Sequence, residues 1–157
     1  MAFRHFQQFV PEFDAWTLAN GVQSPLHNFT TAQEEADFLG ARMFGRWKSG
    51  APIDLAPLAD NPALGADPER NNLFTYADTL LDETRCPFAA HTRKVNPRAD
   101  LADAAVLMHA MRSSIPYGPE LEDSEISSGT TELDRGLLFG TILLLVIPRR
   151  ESLTHTS

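Results

Sequence analysis

The sequence predicts an α+β fold in which an antiparallel sheet carries helices and a long covering loop. Three observations indicate it: an alternating stretch at the N-terminus, two helical patterns before residue 50, and an apolar stretch near the C-terminus. A proline-rich segment without periodicity separates them. Helices and strands mixed in this order are typical of α+β proteins. The length of 157 residues suits one domain.

The first two predicted elements are an edge strand and a helix. Apolar and polar residues alternate around Phe3 and Phe6, which is the pattern of a strand. Pro11 is typical of a first helical turn, where its missing N–H has no partner to lose. Residues 20–21, an Asn-Gly pair, predict the end of that helix.

A second helix is predicted to begin at residue 30 or 31. Thr31 and Glu34 have the spacing of a capping box, in which each side chain binds the backbone N–H of the other residue. An apolar stripe recurs every four residues, as on an amphipathic helix. Its members are Leu39, Met43 and Trp47. Residues 49–50, a Ser-Gly pair, predict the end of the helix.

The segment from Gly50 to Ala90 has neither helical nor strand periodicity. It holds five of the 11 prolines of the chain. A loop of this length in a compact domain is usually functional or disordered. Beyond it, the alanine-rich residues 101–111 are expected to be helical in part. Residues 135–139 are predicted to form a strand that is entered through a turn.

The two ends of the chain carry no clear targeting or membrane signal. Residues 137–147 are an apolar run, but 11 residues are too few for a helix across a bilayer, which takes about 20. A buried strand is the better interpretation. The N-terminus lacks the apolar core and cleavage site of a signal peptide, and this leaves the localisation of the chain open. The polar residues 148–157 are expected to fray.

Charge and cysteine usage exclude several kinds of function. With 13 Lys and Arg against 21 Asp and Glu, the net charge is −8. General binders of nucleic acid or of anionic membranes need a basic face, so we expect neither partner. The single cysteine, Cys86, excludes an intrachain disulfide and a metal site built from several thiolates.

One local segment is basic within this acidic chain. Its cations are Arg85, Arg93, Lys94 and Arg98. Such a segment can bind a carboxylate or phosphate, although solvated loop cations would give the same pattern. His91 lies inside it. Haem needs an axial imidazole for its iron and cations for its propionates, so one ligand would explain both features. Taken alone this signal is weak, because many loops contain His and Arg.

Four sequence blocks resemble those of fungal dye-decolorizing peroxidases in order and spacing. Residues 86–98, CPFAAHTRKVNPR, resemble the haem-binding motif of that family. The other three blocks are residues 39–53, 60–67 and 115–120. The opening sequence, AFRHF at residues 2–6, is similar to a strand of the family. The resemblance extends from the first strand to Phe139.

The resemblance implies a fold, a cofactor and an activity. The fold would be ferredoxin-like, one part of the dimeric α/β-barrel-type haem peroxidase fold. Residues 1–139 would be the C-terminal haem-binding part, and residues 140–157 a divergent, partly disordered tail. One haem b per chain would bind its iron through His91, the proximal ligand. The protein would reduce hydrogen peroxide and oxidise dyes or phenolic compounds, and the full-length family is extracellular.

The resemblance also implies roles for individual residues. Arg112 matches the distal arginine, a catalytic and cofactor-contacting residue that helps to cleave peroxide. Arg93 and Arg98 are the candidates for binding the haem propionates. Tyr117 matches a surface tyrosine that transfers electrons, although an ordinary packed tyrosine explains it equally well. Leu137 and Phe139 match positions that shape the haem pocket. Ser114 is also expected to bind the cofactor, although it stands where the family has a glycine.

One part of the family's machinery is missing from the sequence. The distal aspartate of the family lies in a G-x-x-D-G motif, and none of the nine glycines begins one. After Phe139 the family pattern is lost, so we expect the tail to derive from a truncated or misspliced gene.

From the resemblance, the expected function is a haem peroxidase. The alternative is a catalytically impaired or non-functional haem-binding fragment, and a remoter one is a structural α+β module without cofactor.

Overall fold

The computed structural model describes residues 2–101 and 110–143. In chain order the helices and strands are β1 (Ala2–Gln7), α1 (Val10–Ala19), α2 (Ala32–Phe44), α3 (Pro62–Gly65), α4 (His91–Val95), β2 (Ala110–Tyr117), α5 (Asp123–Ser128) and β3 (Gly136–Leu143). Two 3-10 turns accompany them. They are Ala77–Thr79 and Arg98–Leu101.

The three strands form one antiparallel sheet with β3 between β1 and β2. Leu137 on β3 pairs with Phe6 of β1 on one side and with Pro116 of β2 on the other. Proline has no N–H to donate, and a strand at the edge of the sheet accommodates it. The antiparallel sheet with its helices confirms the predicted α+β class.

The first two helices begin where the sequence predicts, but the second ends early. In α2, the Glu34 N–H donates to Thr31 Oγ1 at 3.2 Å and the Thr31 N–H donates to the Glu34 carboxylate at 3.0 Å, which confirms the capping box. The helix ends at Gly45, whose φ of 82° is left-handed, and not at residues 49–50. Glycine adopts this conformation without a side-chain clash and is the common C-cap. Trp47, which the apolar stripe placed on the helix, therefore lies beyond it.

The segment between α2 and α4 supplies much of the core and is not disordered. Its buried apolar side chains pack with Phe38 and Ala41 of α2. They are Trp47, Ala51, Ile53, Leu64, Phe74, Tyr76, Cys86 and Ala90. The indole Nε1 of Trp47 donates to the Ala56 carbonyl at 2.8 Å, so its polar atom is satisfied inside the core. The aperiodic pattern reflects chain that packs without regular secondary structure.

The last part of the chain contains two elements that the sequence did not indicate. They are the strand β2 and the short helix α5. Residues 102–109 of the predicted helix lie outside the described residues, and Ala110 and Met111 begin β2. The predicted C-terminal strand is confirmed as β3 and continues past Phe139 to Leu143. Among the described residues, no helix is long and apolar enough to cross a membrane.

Candidate functional site

A cavity of about 720 Å³ lies between the sheet and the start of α4. Its lining side chains are Phe6, His91, Arg112, Ser114, Leu137 and Phe139. The strand register explains why five of these share one face. Phe6 is paired with Leu137 and Ser114 with Phe139, and alternate residues of a strand point to the same side. Ser114, Leu137 and Phe139, which were predicted from the resemblance, thus lie together with Arg112 around His91.

His91 is the first residue of α4, and the end of α2 positions this helix. The Thr92 hydroxyl donates to the Phe44 carbonyl at 2.7 Å. Gly45 permits the close approach, because a Cβ added there would lie 2.9 Å from the Thr92 Cβ. The same glycine that ends α2 therefore makes room for α4, and His91 stands exposed at the cavity.

The imidazole of His91 and the guanidinium of Arg112 are in contact. His91 Nε2 lies 3.4 Å from Arg112 Nη1. A guanidinium only donates hydrogen bonds, so the ring nitrogen is the acceptor in this pair and carries a lone pair. Two residues that are 21 positions apart in the sequence are thus joined at one atom of the histidine ring.

Arg93 is buried and has a structural role. Its Nε and Nη2 donate to the Asp100 carboxylate at 2.6 and 2.7 Å, and this ion pair raises the pKa of the guanidinium. The remaining donors reach backbone carbonyls. These belong to Thr79, Asp82 and Cys86. All five N–H groups of an arginine are thereby used. No donor remains for a haem propionate, so the propionate assignment of Arg93 is not retained.

Arg98 supports the core segment and does not line the cavity. Its Nη1 donates to the carbonyls of Asn72 and Phe74 at 3.2 and 2.7 Å. The guanidinium carbon lies 4.0 Å from the centre of the Phe74 ring, a cation–π contact. Its buried Nε has no hydrogen-bond partner among the described residues. Arg98 therefore keeps one unsatisfied donor, which Arg93 does not.

Tyr117 lies on the opposite face of the sheet from the cavity. Its ring centroid is 4.6 Å from that of His5, and its hydroxyl donates to Asp134 Oδ1 at 3.3 Å. Burial and the negative charge of Asp134 raise the pKa of the phenol, because both disfavour the phenolate. Tyr117 is neither an unconstrained surface residue nor a member of the cavity.

Phe6 is a cavity residue that the sequence did not single out. The alternation around it predicted a strand, and the face that it occupies follows only from its pairing with Leu137. In residues 2–101 and 110–143, no group of three or more His, Cys, Asp and Glu side chains could hold a metal ion. Within this part of the chain, His91 is the imidazole that faces the cavity.

Comparison with known proteins finds relatives that are dye-decolorizing peroxidases, although no family model matches the chain. It is 51% identical over 150 residues to the dye-decolorizing peroxidase AauDyP1 of Auricularia auricula-judae, covering 88% of this chain and 29% of that protein. It is 52% identical over 143 residues to a dye-decolorizing peroxidase of Exidia glandulosa, covering 88% and 28%.

Solved structures give the same relationship. A dye-decolorizing peroxidase in complex with 2,6-dimethoxyphenol superposes with a TM-score of 0.80 at 68% identity, over 89% of this chain and 32% of that one. An ancestral D-type dye-decolorizing peroxidase gives a TM-score of 0.78 at 50% identity, over 88% and 31%. The chain spans less than a third of the length of these relatives. In sequence and in fold, the chain is homologous to part of the fungal dye-decolorizing peroxidases.

Proposed function

We propose that this chain is the haem-binding part of a peroxidase that reduces hydrogen peroxide and oxidises dyes or phenolic compounds. The observation that carries the proposal is the cavity in which His91 and Arg112 meet on an apolar face of the sheet. Among the relatives, one solved structure holds 2,6-dimethoxyphenol and another, a D171N variant, holds cyanide. A phenolic reductant and a small ligand are the partners that this function would need.

The residues of the cavity fit haem in their chemistry. An imidazole nitrogen with a lone pair is an axial ligand of haem iron, and Phe6, Leu137 and Phe139 supply apolar walls. The cavity volume of about 720 Å³ lies within the range of cofactor sites. Arg98 is the remaining arginine that we propose for a propionate, and because it does not line the cavity this role rests on the resemblance alone.

The proposed roles follow from the donor set. Bound haem would supply the redox chemistry that splits the O–O bond of peroxide. Arg112 would stabilise the negative charge that develops on the departing oxygen through the N–H donors of its guanidinium. Arg112 also faces the lone pair of His91 Nε2. It must withdraw from that atom before iron can bind there, so a variant without Arg112 should bind haem at least as well.

A second candidate function is a haem-binding chain with weak catalysis. The lining of the cavity, as formed by residues 2–101 and 110–143, includes no carboxylate. Proton transfer by a positioned acid or base contributes about 10²–10⁴-fold to such reactions. Without that group, binding would persist while turnover fell.

Steady-state oxidation by the hemin-loaded chain separates the two candidates. We expect peroxide-dependent oxidation of 2,6-dimethoxyphenol and of an anthraquinone dye above the rate of equimolar free hemin. Arg112→Leu should lower the rate by roughly 10²-fold, the loss typical of one charge-stabilising donor. Arg70→Leu is the matched control, because Arg70 is an exposed loop cation that does not line the cavity. Hemin binding with a rate equal to free hemin would support the second candidate instead.

A further inference from the structure

The residues on either side of His91 both lie against the glycine that ends α2. A Cβ added to Gly45 would lie 2.9 Å from the Thr92 Cβ and 3.6 Å from the Ala90 Cβ. Ala90 is buried, whereas the His91 side chain between these two residues is exposed and lines the cavity. The backbone around His91 is therefore packed on the end of α2 while the imidazole faces the cavity.

Thr92 fastens this packing with a hydrogen bond. Phe44 is the last residue of α2, and a carbonyl at the C-terminus of a helix has no partner inside the helix. The Thr92 hydroxyl donates to the Phe44 carbonyl at 2.7 Å. Because Thr92 directly follows His91, this bond fixes the turn of chain that carries the imidazole.

The helix α4 needs such external support. It has five residues, and a helix of that length is not stable by itself in water. Arg93 connects α4 to the preceding loop and to Asp100. Thr92 connects the same helix to α2. The two neighbouring side chains thus hold α4 from two different parts of the chain.

We propose that Thr92 is a positioning residue for the axial imidazole, because its bond to the Phe44 carbonyl sets where His91 Nε2 lies at the cavity. The inference rests on the proposed function. A ligand whose backbone is already held in place loses less conformational freedom when it binds a metal. Without the bond, His91 would be a weaker and less uniformly oriented ligand.

The rate of hemin loss from the loaded chain measures this effect. Thr92→Val keeps the shape of the side chain and removes the hydroxyl. We expect hemin to transfer to excess apomyoglobin at least about tenfold faster from Thr92→Val than from the parent, a typical loss when an outer partner of a metal ligand is removed. Thr92→Ser keeps the hydroxyl and should restore most of the parent rate. The electron paramagnetic resonance spectrum of the ferric form should broaden in Thr92→Val and not in Thr92→Ser.

Thr17→Val is the matched control for a merely structural role. The Thr17 hydroxyl donates to the Asp14 carbonyl at 2.9 Å in α1, and Thr17 does not line the cavity. Both valine variants lose one bond from a hydroxyl to a carbonyl. Only Thr92→Val should change the rate of hemin loss and the ferric spectrum.

A free ligand shows whether Thr92 acts through His91. His91→Gly with added imidazole supplies the same ring nitrogen without the link to α4. In that background Thr92→Val should leave hemin loss unchanged. Equal hemin loss from the parent and from Thr92→Val, or the same acceleration by Thr92→Val in the imidazole-bound background, would overturn the proposal.

The hemin-free chain gives an independent measurement. The ¹⁵N chemical shifts of the His91 ring report whether Nε2 still accepts the hydrogen bond of Arg112. We expect Thr92→Val to change these shifts and Thr17→Val to leave them at the parent values. Unchanged shifts in Thr92→Val would also overturn the proposal. A parent chain that binds no hemin would refute the proposed function, and the shifts would still decide whether Thr92 positions His91.

Discussion

Arg93 holds together the segment that presents His91. Its guanidinium links Asp100 to carbonyls of the preceding loop, and its ring contacts include Phe88 at 4.3 Å. With 1% of its surface exposed, Arg93 is among the most buried side chains of the chain. Arg93, two positions after the proposed iron ligand in the sequence, thus acts through the loop backbone around α4.

Removal of the Arg93 charge should therefore destabilise the fold. Arg93→Met leaves Asp100 without its partner and three carbonyls without donors, and breaking a buried pair costs about 3–5 kcal/mol. The free energy of unfolding from urea titration measures the loss. Lys94→Met, at the exposed neighbouring cation, should stay within about 0.5 kcal/mol of the parent. If Arg93→Met had the same free energy of unfolding as Lys94→Met but bound hemin poorly, Arg93 would be a propionate ligand after all.

At the scale of the elements, one buried ion pair joins α5 to the start of β3. Arg135 donates to the Glu125 carboxylate, which also accepts the N–H groups of Glu132 and Leu133 at 2.8 and 3.1 Å. These bonds, the one to Arg135 above all, hold the pKa of Glu125 well below its usual range. The pair closes the turn through which the chain enters the central strand of the sheet.

The stability that this pair contributes should depend on pH in one direction. The Glu125 carboxyl has a lower pKa in the folded chain than in the unfolded chain, where the value is about 4.3. The ion pair therefore stabilises the fold fully above that unfolded-state pKa, and the stabilisation is lost as the pH falls below it. At neutral pH the parent should melt at a higher temperature than Glu125→Gln. This difference in melting temperature should become smaller below about pH 4. Glu132→Gln is the control and should follow the parent. A gap that stays constant down to low pH would contradict this account of Glu125.

Local signals predicted the elements that depend on local chemistry. The capping box at Thr31 and the proline at position 11 located the starts of α2 and α1, because these signals act within one turn. The end of α2 was predicted too late, since apolar spacing continued to Trp47 while Gly45 had already left the helix. The strand β2 was missed because its sequence does not alternate regularly and contains Pro116, and it becomes a strand by pairing with β3.

The candidate site was predictable only as a set of residues. Resemblance identified His91 and Arg112, but not their contact, which depends on the docking of α4 at the end of α2. The sequence could not show that Arg93 is buried, because three of its acceptors are backbone carbonyls from different parts of the preceding loop. A basic run in a sequence does not reveal which of its cations fold inward.

For the whole molecule, the sheet organises two chemically different faces. The strand β2 directs Arg112 and Ser114 into the cavity on one face and Tyr117 toward His5 on the other. One strand therefore carries residues of the proposed haem site and of the opposite face. The chain spans less than a third of the length of its relatives.

Hemin titration followed by the Soret band tests the central claim most directly. We predict saturable binding of one hemin per chain, with a Soret band that is shifted or lost in His91→Ala. His27→Ala, at an exposed histidine that contacts Phe29 and does not line the cavity, should titrate like the parent. A parent chain that gives no band, or a His91→Ala variant whose band and affinity are unchanged, would contradict the assignment of His91 as the iron ligand.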